Sequence, residues 1–153
     1  MSARQYVSQL TKLETPYYFY DMQLLHDTLT RAVSEASKYG YKIHYALKAN
    51  FDPRIVSAAL QAGLGVDCVS GNEVRTAIES GCPASKIVFA GVAKSDREIR
   101  YALEQNIFAF NCESLQELQV INALAAEMGQ TAQVALRINP DVDPHTHQNI
   151  STG

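Results

Sequence analysis

Short β-rich runs alternate with helical segments from Ile43 onward, and this alternation limits the folds that the sequence can adopt. The β-rich runs are KIHYAL, GVDCV, KIVFAG, IFAFN and QVALRIN. Strands that alternate with helical segments are typical of βαβ units, which build a parallel sheet. Because about five such units follow one another, the sequence predicts an α/β protein.

The helical segments begin with residues that cap helix N-termini. Asp52 stands before a proline at the start of RIVSAALQ, as an N-cap residue does before the first helical position. Ser95 with Glu98, and Ser114 with Glu117, have the spacing of the capping box, in which each side chain binds the other residue's backbone amide. We therefore predict that helices begin after Asp52, Ser95 and Ser114.

Residues 1–40 precede the βα series and have a different pattern. A helix from about Asp21 to Tyr39 is predicted because leucines and alanines recur at three- and four-residue spacing along one face. Ahead of it, TPYYFYD is aromatic and indicates a strand that pairs with a segment outside this chain. We expect residues 1–40 to lead into a domain that residues 41–153 begin.

The faces of the predicted strands distinguish an open doubly wound sheet from part of a (β/α)8 barrel. Side chains alternate along a strand, so His44, Ala46 and Lys48 share one face of the first run and bulkier apolar residues share the other. An open sheet with helices on both sides has two apolar faces, whereas a barrel has a lumen with its chemistry at the C-terminal mouth. We therefore predict a partial (β/α)8 TIM-type barrel, incomplete at its C-terminus.

Four polar residues near the C-terminal ends of these strands are candidates for a site at that mouth: Lys48, Asp67, Asn111 and Arg137. Each of them taken alone is more often a solvated residue or an ion-pair partner. Lys48 is expected to be buried because of its strand position, and a partly desolvated amine can attack a carbonyl to form a Schiff base. Lys94 precedes a helix start and is expected to be exposed.

Composition and charge exclude several partners. A net charge of −3 over 153 residues leaves no basic excess for a nucleic acid. No apolar run approaches the roughly 18 residues needed to cross a bilayer. The three cysteines have neither CxxC spacing nor a nearby histidine pair, so we expect reduced thiols in a cytoplasmic protein, with no disulfide framework and no metal site.

Five motifs occur in an order that resembles the N-terminal part of the fold-type III pyridoxal-phosphate decarboxylases: YALKAN, GVDCVSGNEV, IVFAGVAKSDREI, NCESLQEL and RINPDVDPHTHQNISTG. The last motif is similar to that of the branch that converts meso-2,6-diaminopimelate to L-lysine and carbon dioxide, the last step of lysine biosynthesis. The resemblance implies that Lys48 forms a Schiff base with pyridoxal 5'-phosphate and that Asp67 and Arg137 lie close to this cofactor. It also implies an amino-acid substrate, a homodimer, and a C-terminal β domain that the aromatic N-terminal strand would join.

The same resemblance implies that this chain holds only part of the enzyme. In the family, the histidine that stacks on the cofactor, the glycine-rich phosphate-binding segment and the residues given by the second subunit all come after the part that this chain covers. We therefore expect the 153-residue chain alone to be inactive. Three alternatives stay open: a decarboxylase of the ornithine, arginine or carboxynorspermidine type, a non-catalytic decarboxylase-like binding protein, and a barrel that only carries the cofactor.

Overall fold

The computed structural model describes residues 6–142 and His145, apart from the side chain of Ser8. The helices within these residues are α1 (Val7–Leu10), α2 (Met22–Ser37), α3 (Pro53–Gln61), α4 (Gly71–Glu79), α5 (Asp96–Glu104) and α6 (Leu115–Glu127). The strands are β1 (His44–Ala46), β2 (Gly65–Cys68), β3 (Ile87–Phe89), β4 (Ala109–Cys112) and β5 (Val134–Leu136). Short 3₁₀ turns occupy Leu47–Ala49 and Ala84–Lys86.

The five strands form one parallel sheet in chain order, from β1 to β5. A helix connects each strand to the next, from α3 between β1 and β2 to α6 between β4 and β5. This arrangement confirms the predicted α/β class with five consecutive strands. Because the strands are parallel, their C-terminal ends lie along the same edge of the sheet.

The hydrophobic core lies between one face of the sheet and the helices. That face carries buried side chains from the three central strands: Val66, Cys68, Ile87, Phe89, Phe110 and Cys112. The opposite face carries smaller or polar residues of intermediate exposure: Ala46, Asp67, Val88, Ala109 and Asn111. A sheet with helices on one face only is the arrangement of a barrel wall, so the strand faces support the barrel over the doubly wound sheet.

The predicted helix starts are confirmed, since α3, α5 and α6 begin directly after Asp52, Ser95 and Ser114. The Asp52 carboxylate accepts a hydrogen bond from the Arg54 backbone amide at 2.9 Å, and the Glu98 carboxylate accepts one from the Ser95 amide at 3.0 Å. The predicted early helix is confirmed as α2, which Asp21 caps through the backbone amide of its third residue.

The predicted N-terminal strand is expected to pair with a segment outside this chain, so its pairing stays a prediction. Residues 15–21 have no strand assignment, and every residue from Thr11 to Tyr20 is exposed. A strand is defined by its pairing, and none of the strands described here pairs with this segment. The pairing that the aromatic composition of TPYYFYD favours is therefore not seen among the described residues.

The three cysteines, Cys68, Cys82 and Cys112, are free and buried. Burial raises the pKa of each thiol, which keeps the thiols protonated and poorly reactive. Among residues 6–142 and 145, no group of three His, Cys, Asp or Glu side chains is arranged to hold a metal ion. None of the helices described for this chain is long and apolar enough to span a bilayer.

Candidate active site

The predicted polar residues lie at the C-terminal edge of the sheet, but not all in contact with one another. Ala46 at the end of β1 is in register with Asp67 of β2, and Lys48 follows two residues after Ala46. Arg137 directly follows β5, three strands away from β2. The structure thus brings Lys48 and Asp67 together, whereas Arg137 occupies the same edge at a distance along the sheet.

Lys48 is exposed, so the prediction that it is buried was wrong. The reason is that β1 ends at Ala46 and the chain turns into the 3₁₀ segment Leu47–Ala49, which carries the lysine beyond the last strand residue. Leu47 beside it is fully buried and anchors the turn to the core. The Lys48 amine is therefore held on a fixed turn and open to a ligand at the mouth.

Asp67 is half-buried on the face of the sheet that the helices do not cover. Its Oδ1 atom is buried and has no hydrogen-bond partner among the described residues. Burial raises the pKa of the Asp67 carboxyl, while the charges of Lys48 and His44 act to lower it. Since buried polar atoms are normally hydrogen-bonded, this atom is a ready acceptor for a donor entering the lumen.

His44 forms the floor of the lumen beneath Asp67. Its ring lies over Gly65, where an added Cβ would stand 2.4 Å from His44 Cδ2 and 2.5 Å from the carbonyl oxygen of Lys86. The ring also stacks on Phe108 with 6.2 Å between ring centroids. Burial lowers the pKa of His44, which favours the neutral imidazole, although the charge of Asp67 opposes this effect.

Lys94 is buried, contrary to the prediction that it is exposed. Its side chain is 1% exposed and forms an ion pair with Glu117 on α6. Its Nζ atom also donates to the carbonyl oxygens of Gly91 at 2.7 Å and Asn111 at 2.9 Å. An ammonium group has three hydrogens to donate, and these three acceptors use them all, so Lys94 is not a second free amine at the mouth.

Glu113 is a residue of this edge that the sequence reasoning missed. Its carboxylate lies 3.0 Å from Nη1 of Arg137, and its side chain is largely buried while the Arg137 side chain is about half exposed. The backbone amide of Arg137 donates to the carbonyl oxygen of Cys112 at 2.9 Å. The position of Glu113, between a strand end and the Ser114 N-cap, could have identified it, since such residues lie at the mouth of a barrel.

The sequence of residues 25–153 matches the family described as pyridoxal-dependent decarboxylase, pyridoxal binding domain. The chain belongs to the pyridoxal-dependent decarboxylases. The match covers most of the chain and confirms the resemblance that the motifs indicated. The motif that includes ISTG extends beyond the described residues, so its placement at the site of this decarboxylase chain stays a prediction.

Individual diaminopimelate decarboxylases resemble this decarboxylase chain throughout its length. The enzyme of Bacteroides thetaiotaomicron is 52% identical over 148 residues, which cover 96% of this chain and 38% of that protein. The crystal structure of the Helicobacter pylori enzyme complexed with L-lysine matches with a TM-score of 0.86 at 39% identity, over 97% of this chain and 38% of that one. That of the M. jannaschii enzyme matches with a TM-score of 0.83, over 95% of this chain and 35% of that one. The chain thus spans less than two fifths of the length of these relatives.

A more distant neighbour resembles this chain in fold only. The arginine decarboxylase of Paramecium bursaria Chlorella virus matches with a TM-score of 0.64 at 24% identity, over 78% of this chain and 32% of that one. At that identity the match shows that the folds are alike and nothing more. The likeness to the diaminopimelate enzymes is closer in both sequence and structure.

Proposed function

We propose that this chain is the first, cofactor-binding part of a decarboxylase that converts meso-2,6-diaminopimelate to L-lysine and carbon dioxide. The observation that carries the proposal is an accessible lysine amine, Lys48, at the mouth of the sheet. It lies beside the buried Oδ1 atom of Asp67, which has no hydrogen-bond partner within the described part of the chain. The 52% identity to a diaminopimelate decarboxylase supports this substrate over ornithine or arginine.

The residues at the mouth fit pyridoxal 5'-phosphate. We assign Lys48 to hold the cofactor covalently through its exposed amine. Asp67 offers its buried Oδ1 atom as an acceptor, and Ala46 and Ala109 leave space on the lumen face for a flat ring. Arg137 supplies a cation at the same edge, held by Glu113. When bound, the cofactor supplies an electron sink for the bond that breaks as carbon dioxide leaves.

The remaining parts of the enzyme are proposed to come from outside this chain. We infer that residues 1–40 lead into a barrel of which residues 41–153 form the first part, and that later strands and a C-terminal β domain complete it. Leu136 and Ile138, at and after the end of β5, are 60% and 76% exposed, which agrees with a further element that covers them in the full-length protein. The chain alone is therefore expected to be inactive, because an uncovered edge and an incomplete site cannot hold the substrate.

The proposal extends to assembly and location. We propose a homodimer, since the resemblance implies that a second subunit gives residues to the site. We also propose the cytoplasm, because Cys68, Cys82 and Cys112 are all free thiols, as expected in a reducing compartment.

Carbon dioxide release from meso-2,6-diaminopimelate by the full-length protein with added pyridoxal phosphate tests the proposed function. Lys48→Ala should lower the rate at least about a thousandfold, since it removes the amine that holds the cofactor. Lys38→Ala serves as a matched control, because Lys38 is a surface lysine paired with Glu35 and should not change the rate.

A panel with ornithine, arginine and carboxynorspermidine identifies the substrate. Faster release of carbon dioxide from one of these than from meso-2,6-diaminopimelate would make that compound the substrate instead. Release from none of them, with no cofactor bound, would instead favour a non-catalytic binding protein.

A further inference from the structure

The ion pair between Lys94 and Glu117 lies outside the residues assigned to the cofactor, and its burial requires an explanation. The two side chains are only 1% and 12% exposed. Removing two charges from water costs about as much as their attraction returns, so a buried pair is a weak source of stability. A buried pair does, however, hold its neighbours in one geometry, and those neighbours lead to the site.

The Glu117 carboxylate connects the buried amine to the backbone of Glu113. One of its oxygens pairs with Lys94, and the other accepts a hydrogen bond from the Glu113 backbone amide at 2.7 Å. Lys94 also binds the carbonyl oxygen of Asn111 at 2.9 Å. The end of β4 and the turn that follows are therefore fastened at residues 111 and 113 by the same pair.

Glu113 continues the connection to Arg137. With its backbone held by Glu117, Glu113 presents its carboxylate to the Arg137 guanidinium at 3.0 Å. The long side chain of an arginine loses its freedom only where a partner fixes it. The chain of contacts thus runs from a fully buried lysine to the half-exposed arginine at the mouth.

We propose that Lys94 and Glu117 are positioning residues that orient Arg137 toward the cofactor through Glu113. This inference rests on the proposed function, in which Arg137 supplies a cation to the cofactor site. The buried pair then has two roles: it joins the start of α6 to the end of β4, and it sets the direction of Arg137 at the cofactor site. Loss of the pair frees Glu113, and Arg137 then no longer has a fixed direction.

Cofactor binding by the full-length protein, followed in the absence of substrate, tests the inference. Glu117→Gln keeps an oxygen that can accept from Lys94 but leaves no second acceptor for the Glu113 amide. We expect Glu117→Gln to raise the Kd for pyridoxal phosphate about tenfold and to shift the absorption band of the bound cofactor, as Glu113→Gln should. Lys94→Met is expected to have the same effect, or a larger one.

Two controls separate positioning from stability. Arg100→Met removes an ion pair to Glu127 that also joins α5 and α6 but lies on the surface, and it should leave the Kd and the spectrum unchanged. Combining Glu117→Gln with Glu113→Gln should raise the Kd no further than Glu113→Gln alone, because both act through Arg137.

Two results would overturn the inference. One is a normal Kd and spectrum in Glu117→Gln with only a lower Tm, and the other is additive effects in the double variant. A wild-type protein that fails to bind pyridoxal phosphate would instead refute the proposed function, so the two failures are distinguishable.

Discussion

At the scale of single residues, the raised pKa of Asp67 has the clearest effect on stability. Its carboxyl is half-buried, its Oδ1 atom lacks a partner among the described residues, and burial raises its pKa. A raised pKa means that the ionised carboxylate is less favourable in the folded protein than in the unfolded one. Asp67 therefore opposes folding at neutral pH, and this opposition fades as the pH falls below its folded pKa.

We expect Asp67→Asn to stabilise the cofactor-free protein at neutral pH by less than about 1 kcal/mol, since it removes a charge without removing the side chain's volume and solvent screens this half-buried group. The gain should shrink as the pH falls toward the usual pKa of an aspartate, where the wild-type carboxyl is already protonated. Urea unfolding at several pH values measures this difference. Glu14→Gln, at an exposed position ahead of α2, is the control for the loss of one surface carboxylate. A loss of stability in Asp67→Asn that is equal at every pH would contradict the account.

Two lysines show what sequence can and cannot predict for single residues. Lys48 was correctly placed at the C-terminal edge of the sheet, because the alternation of strands and helices follows from local patterns. Its exposure and the burial of Lys94 were both predicted wrongly. A long side chain is buried or exposed according to its tertiary neighbours. For Lys94 these include Asn111 and Glu117, 17 and 23 residues away in the sequence.

At the scale of elements, serine N-caps fix the helix N-termini along the C-terminal edge of the sheet. The Ser70 hydroxyl oxygen accepts from the Glu73 amide at 3.2 Å, as Ser114 does from Glu117. Glu98 of α5 reaches further and accepts from the Gly71 amide at the start of α4, at 2.7 Å. Caps of this kind are local and could be predicted from spacing, whereas the link between neighbouring helices could not.

Strand faces were predicted better than strand lengths. The alternation of small and bulky residues correctly separated the core face from the lumen face. The run KIHYAL was expected to be a strand throughout, but β1 covers only His44–Ala46. Strand ends depend on how far the neighbouring strand runs alongside, which the sequence of one run does not contain.

Gly65 tests how closely the first three strands pack. An added Cβ there would stand 2.5 Å from the Lys86 carbonyl oxygen and 2.4 Å from the His44 ring. We expect Gly65→Ala to lower the free energy of unfolding by about 2 kcal/mol, because backbone atoms must move to admit the methyl group. Thermal unfolding of the cofactor-free protein measures the change.

Gly129→Ala is the comparison for Gly65→Ala. Gly129 has a φ of +66° but open space around an added Cβ, so its replacement costs only backbone strain, about 1 kcal/mol. Adding His44→Ala to Gly65→Ala should recover part of the lost free energy of unfolding, because it removes the ring that the new methyl group meets. The close approach of that methyl group to the Lys86 carbonyl oxygen remains. No loss at all in Gly65→Ala would contradict the packing described for β1, β2 and β3.

The whole molecule is a sheet with one completed core and an open side. Among the described residues, the helix-covered face is closed over β2, β3 and β4, whereas β5 and the aromatic N-terminal segment expose apolar side chains. The sequence predicted the class of fold, because the alternation of apolar and polar side chains is visible within each β-rich segment. TPYYFYD pairs with none of the described strands, and its predicted partner lies outside this chain, so that pairing stays a prediction.

The central claim is that the amine of Lys48 holds pyridoxal phosphate at the mouth of this sheet. Reduction of the full-length protein with borohydride in the presence of the cofactor, followed by mass spectrometry of its peptides, tests this claim most directly. The account predicts one modified lysine in the segment YALKAN, at Lys48, and none at Lys94, whose amine is enclosed by three acceptors. Modification at Lys94 or at another lysine, with Lys48 unmodified, would contradict it.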